Sequence, residues 1–575
     1  MKSAYRTRRT GRSFHWPRFL VRELPLAILA TAVPSVGSAQ PALNGRDAEK
    51  PAPAADVSAL PAAMLLIDLL NRDAARYHRV DLLRSEFNLS GAGIVAGIYE
   101  AGGVPDPNHE AMVGRVQVRD GTTRYSDHAT HVAGTVGADP AAFPQARGMA
   151  PRVELHAYMI DDNYWEELEK PDLRMSVSVH SYGPRGGWEG PFEALCRDAE
   201  GAPPRNDQRT CWSWVGEPNQ TESRIFGAYT QTSAAADDVA RLLPKRSMMV
   251  AAGNDRNDSP LGPHWDRWHT HSGIWVSGDH QADGASGGFD TIGGDEATSK
   301  NVITVGAIDD ASGVVSPTNI VPTVFSAFGP TDDGRIKPDL VANGQELTSS
   351  VNPRFPGDSL YAPESGTSMA APVVTGIAAL LNELANRQIR RVLFADEMKA
   401  VLIHTAVSPT AGPNFSTGWG AVDALAAGRV VASRPGAPRL SRPSAGAGNS
   451  DFRLRSASGR PIKVTLVWLD SPGKPQLRTD DSTSVLVNDL DLLLIDPAGR
   501  RYYPWALDGQ SPASVAQRCF EEANAAPRCK RNRVDNVEQV LVDGNQVADG
   551  RWTVRIVGKP GAAAQPVALV VEGLD

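Results

Sequence analysis

Cysteine is scarce in this chain, with four among 575 residues, falling in two near pairs: Cys196 with Cys211 and Cys519 with Cys529. Neither pair has the spacing of a zinc-ligand set, so zinc is set aside and a local disulfide is expected in each pair. Each disulfide would close a short loop and contribute up to ~3 kcal/mol if unstrained. Both pairs sit in polar, Pro- or Ala-rich stretches that read as surface insertions. Positive charge is not in excess either: 58 Lys and Arg stand against 66 Asp and Glu, for a net charge of −8. That balance argues against nucleic acid as a partner. Long apolar runs are missing outside the N-terminal region, so no membrane anchor is expected in the mature chain.

The first 39 residues carry seven basic side chains and one acid, followed by an apolar stretch from Leu24 to Val36. Gly37-Ser38-Ala39 offers small residues for cleavage before Gln40. This pattern reads as a signal peptide, placing the protein outside the cytoplasm, secreted or periplasmic. Removing it takes away more basic than acidic charge, so the mature chain is more acidic still.

The most informative residues are Gly366-Thr367-Ser368-Met369-Ala370-Ala371-Pro372, followed by the apolar run Val373, Val374, Ile377, Ala378, Leu380, Leu381. A serine among small residues at the start of a helix has unpaired N–H groups and the positive end of the helix dipole beside it. Such a setting favours an oxygen that becomes negative during acyl transfer. Pro372 is expected in the first helical turn, where proline is tolerated. Alone, the segment also fits a tight turn capping a buried helix.

Two upstream segments decide between these readings: Ser126-Asp127-His128-Ala129-Thr130-His131-Val132-Ala133-Gly134-Thr135 and Val250-Ala251-Ala252-Gly253-Asn254-Asp255. In this order with the serine segment, they resemble the subtilisin-like serine peptidases, the subtilase family, over residues 85–430. The resemblance implies His128 as general base, Ser368 as nucleophile, His131 as structural, and Asn254 with the Ser368 N–H as oxyanion donors. A serine hydroxyl is a weak nucleophile until a base takes its proton, and imidazole titrates near the working pH. One oxyanion donor is worth about 2.7–4 kcal/mol.

The chain departs from the family at the third member. Gly93-Ile94-Val95-Ala96-Gly97-Ile98-Tyr99 reads as a buried strand, and Glu100 stands where subtilases carry an aspartate. Glutamate keeps the charge that orients the histidine but adds a methylene. Asp106 is the rival carboxylate, past the Gly102-Gly103 turn, while Asp127 is read as a cap for the following helix.

Val177-Ser178-Val179-His180-Ser181-Tyr182-Gly183 resembles the family's substrate-pairing strand, with Ser181, Tyr182 and Gly183 binding peptide backbone. Ala252 and Gly253 resemble the opposite pocket wall, small enough for a large apolar or aromatic side chain. Gly334-Arg335-Ile336-Lys337-Pro338-Asp339-Leu340 matches a recurrent structural segment of the family. His264, His269, His271 and His280 crowd a Trp-rich stretch, read as an aromatic surface insertion beside the cleft, with a metal site as the alternative.

Residues 40–75, rich in Ala, Pro and Asp, read as disordered or as a pro-segment shorter than the folding domain subtilases commonly carry. Residues 76–432 are expected to form an α/β three-layer sandwich on a mostly parallel sheet. Residues 433–448 read as a linker. Residues 449–575 read as a β-sandwich with strands at Ile462–Trp468, Val485–Ile495, Val537–Val542, Trp552–Val557 and Val567–Glu572. It resembles the jelly-roll-like C-terminal domain of certain bacterial subtilases. Asp489 and Asp491 either hold a structural calcium or form the solvent face of a strand. The expected whole is an exported, monomeric serine endopeptidase acting on protein or peptide substrates, with no cofactor needed for the chemistry. A silent subtilase scaffold that binds peptides is the alternative, and an acyltransferase on the same nucleophile a second.

Overall fold

The computed structural model describes residues 69–575 apart from 161–171, 192–209, 217–222, 261–263, 269–274, 278–289, 310–312, 354–356, 457–458, 508–513, 515, 524–528 and 530. The expected signal peptide therefore lies outside the described residues. So do Cys196, His269, His271, His280 and the side chain of His264.

A seven-stranded parallel sheet forms the centre, in the order β12-β11-β8-β5-β2-β4-β3. Its strands are β2 (Val95–Glu100), β3 (Val116–Val118), β4 (Glu154–Met159), β5 (Met175–His180), β8 (Ser247–Ala251), β11 (Ile303–Ile308) and β12 (Leu340–Asn343). They are apolar on both faces because side chains alternate and both faces are covered. On one face Ala96, Ile98, Val177, Val179 and Met249 join the main core. On the other, Val95, Tyr99, Met175, Met248 and Val250 pack with Ala236 and Val239 of a helix at Gln231–Leu242. That is the expected three-layer α/β sandwich.

The helices, numbered along the chain, are α1 (Asn71–Tyr77), α2 (Val80–Phe87), α3 (Asp127–Gly137), α4 (Gln231–Leu242), α5 (Thr367–Ile389), α6 (Ala395–Thr405) and α7 (Ala424–Val431). The helix α5 is long and apolar enough to cross a membrane, yet it is buried inside the fold as the core helix. Its buried small residues Ala370, Ala371, Gly376, Ala378 and Ala379 let neighbours approach closely. A Cβ on Gly376 would lie 2.5 Å from the Met149 Cβ and 3.1 Å from the Val136 carbonyl of α3. Side-chain bulk there would push α3 and α5 apart.

Regular structure among the described residues is already present before residue 76. Within the stretch read as disordered, β1 (Leu69–Leu70) pairs with β13 (Leu347–Ser350), and β13 pairs in turn with β14 (Tyr361–Glu364). The buried Asn71 amide donates to the Ala146 carbonyl at 3.0 Å and to Ser349 at 3.1 Å. The polar insertions are also more structured than their composition implied. The strands β6 (Gly187–Glu189), β7 (Thr210–Val215), β9 (His264–Trp268) and β10 (Trp275–Ser277) form a separate four-stranded sheet. Trp188, Trp212 and Trp214 form its own small core.

The C-terminal region is a sandwich of two antiparallel sheets. One holds β15 (Arg439–Ser441), β24 (Gln565–Glu572), β18 (Ile462–Trp468) and β22 (Val537–Val542), with β16 (Ser444–Ala445) also on β24. The other holds β17 (Gly448–Ser456), β23 (Gly550–Gly558), β19 (Leu490–Ile495), β20 (Arg501–Ala506) and β21 (Gln517–Glu521). Leu466, Trp468, Leu492, Trp552 and Val554 meet in its core. The run read as a linker is thus largely part of this domain, its backbone donors and acceptors taken up by β24. Cys519 and Cys529 form a disulfide. Cys211 is also disulfide-bonded.

The two halves meet through a buried polar network. The fully buried Lys300 ammonium donates to Asp470 at 2.6 Å and to the carbonyls of Ser471 (2.6 Å) and Val485 (2.9 Å). Asn301 exchanges hydrogen bonds with the Asp470 backbone, and the Ile336 N–H donates to Asp535 at 2.9 Å. The segment at Arg335–Asp339 supplies more of this scaffold. Lys337 and Lys399 pair with opposite oxygens of the buried Asp339 at 2.7 and 2.8 Å. Removing one partner of a buried pair strands the other charge. Lys300→Met is expected to cost about 3–5 kcal/mol, read as a lowered urea midpoint, with much of the loss recovered in Lys300→Met/Asp470→Asn. An unchanged midpoint in the single variant would show that the network is not what joins the halves.

Candidate active site

The alternation of β2 decides where Glu100 points. Residues 96, 98 and 100 share the face that carries α3, whereas Tyr99 faces the other side and stacks between Tyr158 and His180. Glu100 therefore lies beneath the first turn of α3, 1 % exposed, with Oε2 2.8 Å from His128 Nδ1. Its Oε1 has no hydrogen-bond partner among the described residues. Burial raises the Glu100 pKa, and the attraction of His128 opposes that rise. For His128, burial alone would favour the neutral ring. The Glu100 carboxylate, assisted by Glu364, outweighs it and lifts the pKa to about 9.

The helix that carries His128 is capped by Ser126, whose hydroxyl accepts from the Ala129 N–H at 3.1 Å. Asp127 is not the cap. It stands in the first turn, where its carboxylate accepts from the Asn352 N–H at 3.2 Å. Asp106 turns back on its own loop, accepting from the Asn108 N–H at 2.9 Å, and Glu100 is the carboxylate at His128. His131 Nε2 lies 2.6 Å from the Leu347 carbonyl, and burial lowers its pKa to about 3, so it stays neutral and ties α3 to β13.

Ser368 is the second residue of α5 and partly exposed. Pro372 stands inside α5 rather than in its first turn. Its missing N–H leaves the Ser368 carbonyl without a helical partner, and the Ser181 hydroxyl supplies one at 3.0 Å. The Ser368 hydroxyl in turn donates to the Ser181 carbonyl at 3.2 Å. The hydroxyl is therefore bonded to Ser181 rather than to His128.

Asn254 follows β8 and is held by Thr367, whose N–H and hydroxyl both donate to its Oδ1 at 2.8 and 3.0 Å. These bonds orient Nδ2 outward. Gly366 has φ +153°, and a Cβ placed on it would lie 3.3 Å from Asn254 Nδ2 and 3.6 Å from the Ser368 nitrogen. The space this glycine leaves open is where two donors converge. Thr367 and Gly366 thus shape this space, where sequence reasoning had seen them only as small neighbours of Ser368.

The expected substrate strand divides in two. The segment Met175–His180 is internal to the central sheet between β2 and β8. Only Ser181, Tyr182 and Gly183 extend past its end. The Tyr182 hydroxyl bonds to His180 Nδ1 at 2.9 Å, and among the described residues nothing beyond its chain neighbours lies within 4 Å of where a Gly183 Cβ would be. Across the cleft, Ala252 is fully buried, its backbone bonded to Val305 and Gly293, so only Gly253 is left partly open. In the C-terminal domain Asp489 pairs with Lys559, and Asp491 with Arg531 at 3.0 Å. Each carboxylate faces a cation, and among the described residues no group of three His, Cys, Asp or Glu is placed to hold a metal. Sequence reasoning also missed Glu364, the acid that ends β14 near His128.

An acid–imidazole pair and a serine at the head of a buried helix are thus borne on a parallel α/β sandwich. A model of the subtilase family matches residues 103–420, more than half of the chain and starting just past Glu100. The chain belongs to the subtilase family. It is 28% identical to the serine protease AprX of Bacillus subtilis (strain 168) over 327 residues, 54% of this chain and 62% of that protein. It is 31% identical over 208 residues to the serine protease/ABC transporter B family protein tagA of Dictyostelium discoideum, covering 30% of this chain and 12% of tagA. It is 44% identical over 85 residues to a C5a peptidase of Streptococcus pyogenes serotype M3, covering 15% of this chain and 7% of that peptidase. The chain spans less than two thirds of the length of each of these relatives. The solved structure of the prenylagaramide maturation protease PagA is 18% identical with a TM-score of 0.38, covering 61% of this chain and 98% of that one.

The raised His128 pKa carries a kinetic consequence. The ring must be neutral to accept a proton, so labelling of Ser368 by a fluorophosphonate is expected to accelerate as pH rises towards about 9. Glu100→Gln removes the anion, and the limb is expected to move down by about two pH units, towards the ordinary histidine value, with a lower plateau. A wild-type limb at the ordinary value would contradict the assigned pairing.

Proposed function

We propose that this chain is an exported serine endopeptidase that hydrolyses protein or peptide substrates through an acyl-enzyme on Ser368. The observation that carries the reading is the 2.8 Å contact between His128 Nδ1 and a buried Glu100, on the strand face that meets α3. With Nδ1 held there, Nε2 is the ring nitrogen free to take the Ser368 proton and to return it to the leaving amine. Glu100 offsets the charge of the imidazolium so formed. Asn254 Nδ2 and the Ser368 N–H receive the oxyanion, and they are already oriented before substrate arrives. Peptide backbone is taken up by Ser181–Gly183 on the acyl side.

Export rests on the basic-then-apolar N-terminal stretch and on disulfides at Cys211 and Cys519–Cys529. The substitution of Glu for Asp favours the silent-scaffold reading only if the longer side chain fails to reach the imidazole, and here it does reach.

Cleavage of fluorescent casein is expected from the purified chain and absent from Ser368→Ala. Glu100→Gln is expected to lose about three to four orders of magnitude in kcat, while Asp106→Asn stays near wild type. Two folded proteins with equal, negligible signal would favour the binding scaffold. Loss in Asp106→Asn rather than Glu100→Gln would reassign the acid.

A further inference from the structure

Helix α6 lies on the outer face of the β24-β18-β22 sheet, where the catalytic half meets the C-terminal sandwich. Alternation along β18 puts Lys463, Thr465 and Val467 on that face, while Val464 and Leu466 turn into the sandwich core. Val467 and its neighbours Val537, Ala568 and Val570 join the main core. Towards the other end of the strand the face becomes polar. There Lys463 is in register with Leu541 on one side and Glu572 on the other. The helix stops at Thr405. Between its last turn, the loop that follows and this end of the sheet lies a cavity of about 250 Å³. None of the cleft residues around Ser368 lines it.

Its walls are apolar at Ile403, Pro413, Trp419 and Leu541, and three polar side chains converge on it. His404 is 1 % exposed, and its Nε2 has no hydrogen-bond partner among the described residues, lying 3.6 Å from Glu572 Oε2. Its Nδ1 is 2.8 Å from the Thr465 hydroxyl, which also accepts from the Gln539 amide at 3.0 Å. The hydroxyl proton therefore goes to Nδ1, and the ring carries its own proton on Nε2, as a donor. Burial keeps the ring neutral, with its pKa lowered to about 4. Lys463 Nζ stands 3.8 Å from Glu572 Oε2, too far for a hydrogen bond. A buried N–H without an acceptor, beside a half-buried ammonium, calls for an anionic oxygen. The more open Glu572 carboxylate calls for a cation.

A single molecule meets both demands only if it carries both charges. An apolar cavity of about 150 Å³ holds benzene, and drug-sized ligands need about 300 Å³ or more, so this volume suits a molecule of about ten heavy atoms. We propose that this cavity is a binding site for a free α-amino acid with an apolar side chain, its carboxylate held by Lys463 and His404 and its ammonium by Glu572. Both halves of the protein contribute to the site, so the bound molecule also ties them together. The assignment does not depend on Ser368 being a nucleophile.

Equilibrium dialysis of the full chain against isotope-labelled L-leucine tests it. Saturable binding is expected, with a dissociation constant below about 1 mM. Leucinamide, which lacks the carboxylate, and N-acetylleucine, which lacks the ammonium, should each compete roughly tenfold less well. Lys463→Met and Glu572→Gln should weaken binding by a similar factor, their thermal midpoints showing that they fold, and Ser368→Ala should bind like wild type. The two analogues need no variant, so they decide the matter even where a substitution disturbs the fold. The proposal is overturned by an absence of saturable binding, by analogues that compete as well as L-leucine, or by unchanged affinity in folded Lys463→Met and Glu572→Gln. Affinity lost in Ser368→Ala would place the amino acid in the catalytic cleft and overturns it too.

Discussion

The burial of one helix governs this structure. α5 runs through the core with its small residues turned to its neighbours, and the site is assembled at its N-terminus. Because Gly376 brings α5 against Met149 and the Val136 carbonyl of α3, the start of α3 is fixed relative to the start of α5. His128 and Ser368 belong to those two starts. Close packing transmits any change in that contact to the site, since interiors accommodate added volume poorly. The same helix rests on β5, β8 and β11, whose ends deliver Ser181 and Asn254. The geometry of the chemistry is thus a consequence of core packing.

Glu100 reaches His128 from the end of the buried strand β2, at 2.8 Å. The alternation of that strand aims the side chain at α3, where it is buried. The consequence is electrostatic. A carboxylate with one oxygen engaged and the other unpaired is poorly solvated by the protein, which strengthens its pull on the imidazolium. Burial of His128 acts in the opposite direction, and the ion pair wins because the two groups are in direct contact.

The C-terminal sandwich is joined to the catalytic half by more than a tether. Lys300, Asn301, Asp470, Asp535 and Asn536 satisfy one another where neither half alone could. Such a network contributes little net stability compared with apolar packing, but it permits few alternative arrangements, because a shifted register would strand buried charges. Helix α6 adds an apolar contact, lying against β18 and β24. The second domain is therefore a fixed wall of the molecule.

The sequence by itself determined the family-level chemistry. Short motifs around His128, Asn254 and Ser368 carry their meaning in residue types, and the central strands announce themselves as apolar runs because both faces of a parallel sheet are buried. Glu100 was legible through the resemblance, as the acid standing where subtilases carry an aspartate, with Asp106 left as its rival. What only the tertiary structure decided were matters of neighbours far along the chain. Residues 433–448 look like a linker because Pro, Ser and Gly dominate them, and only the presence of β24 gives that backbone its partners. Asp489 and Asp491 read from sequence as either calcium ligands or the solvent face of a strand, and only the fold places Lys559 and Arg531 beside them. Glu364 has no local signature at all. Its place near His128 comes from the local pairing of β14 with β13 and from the contact of β13 with α3, which joins residues 216 apart in sequence. Composition and periodicity encode which residues are buried, whereas the identity of the group each one meets is fixed only when the whole core closes.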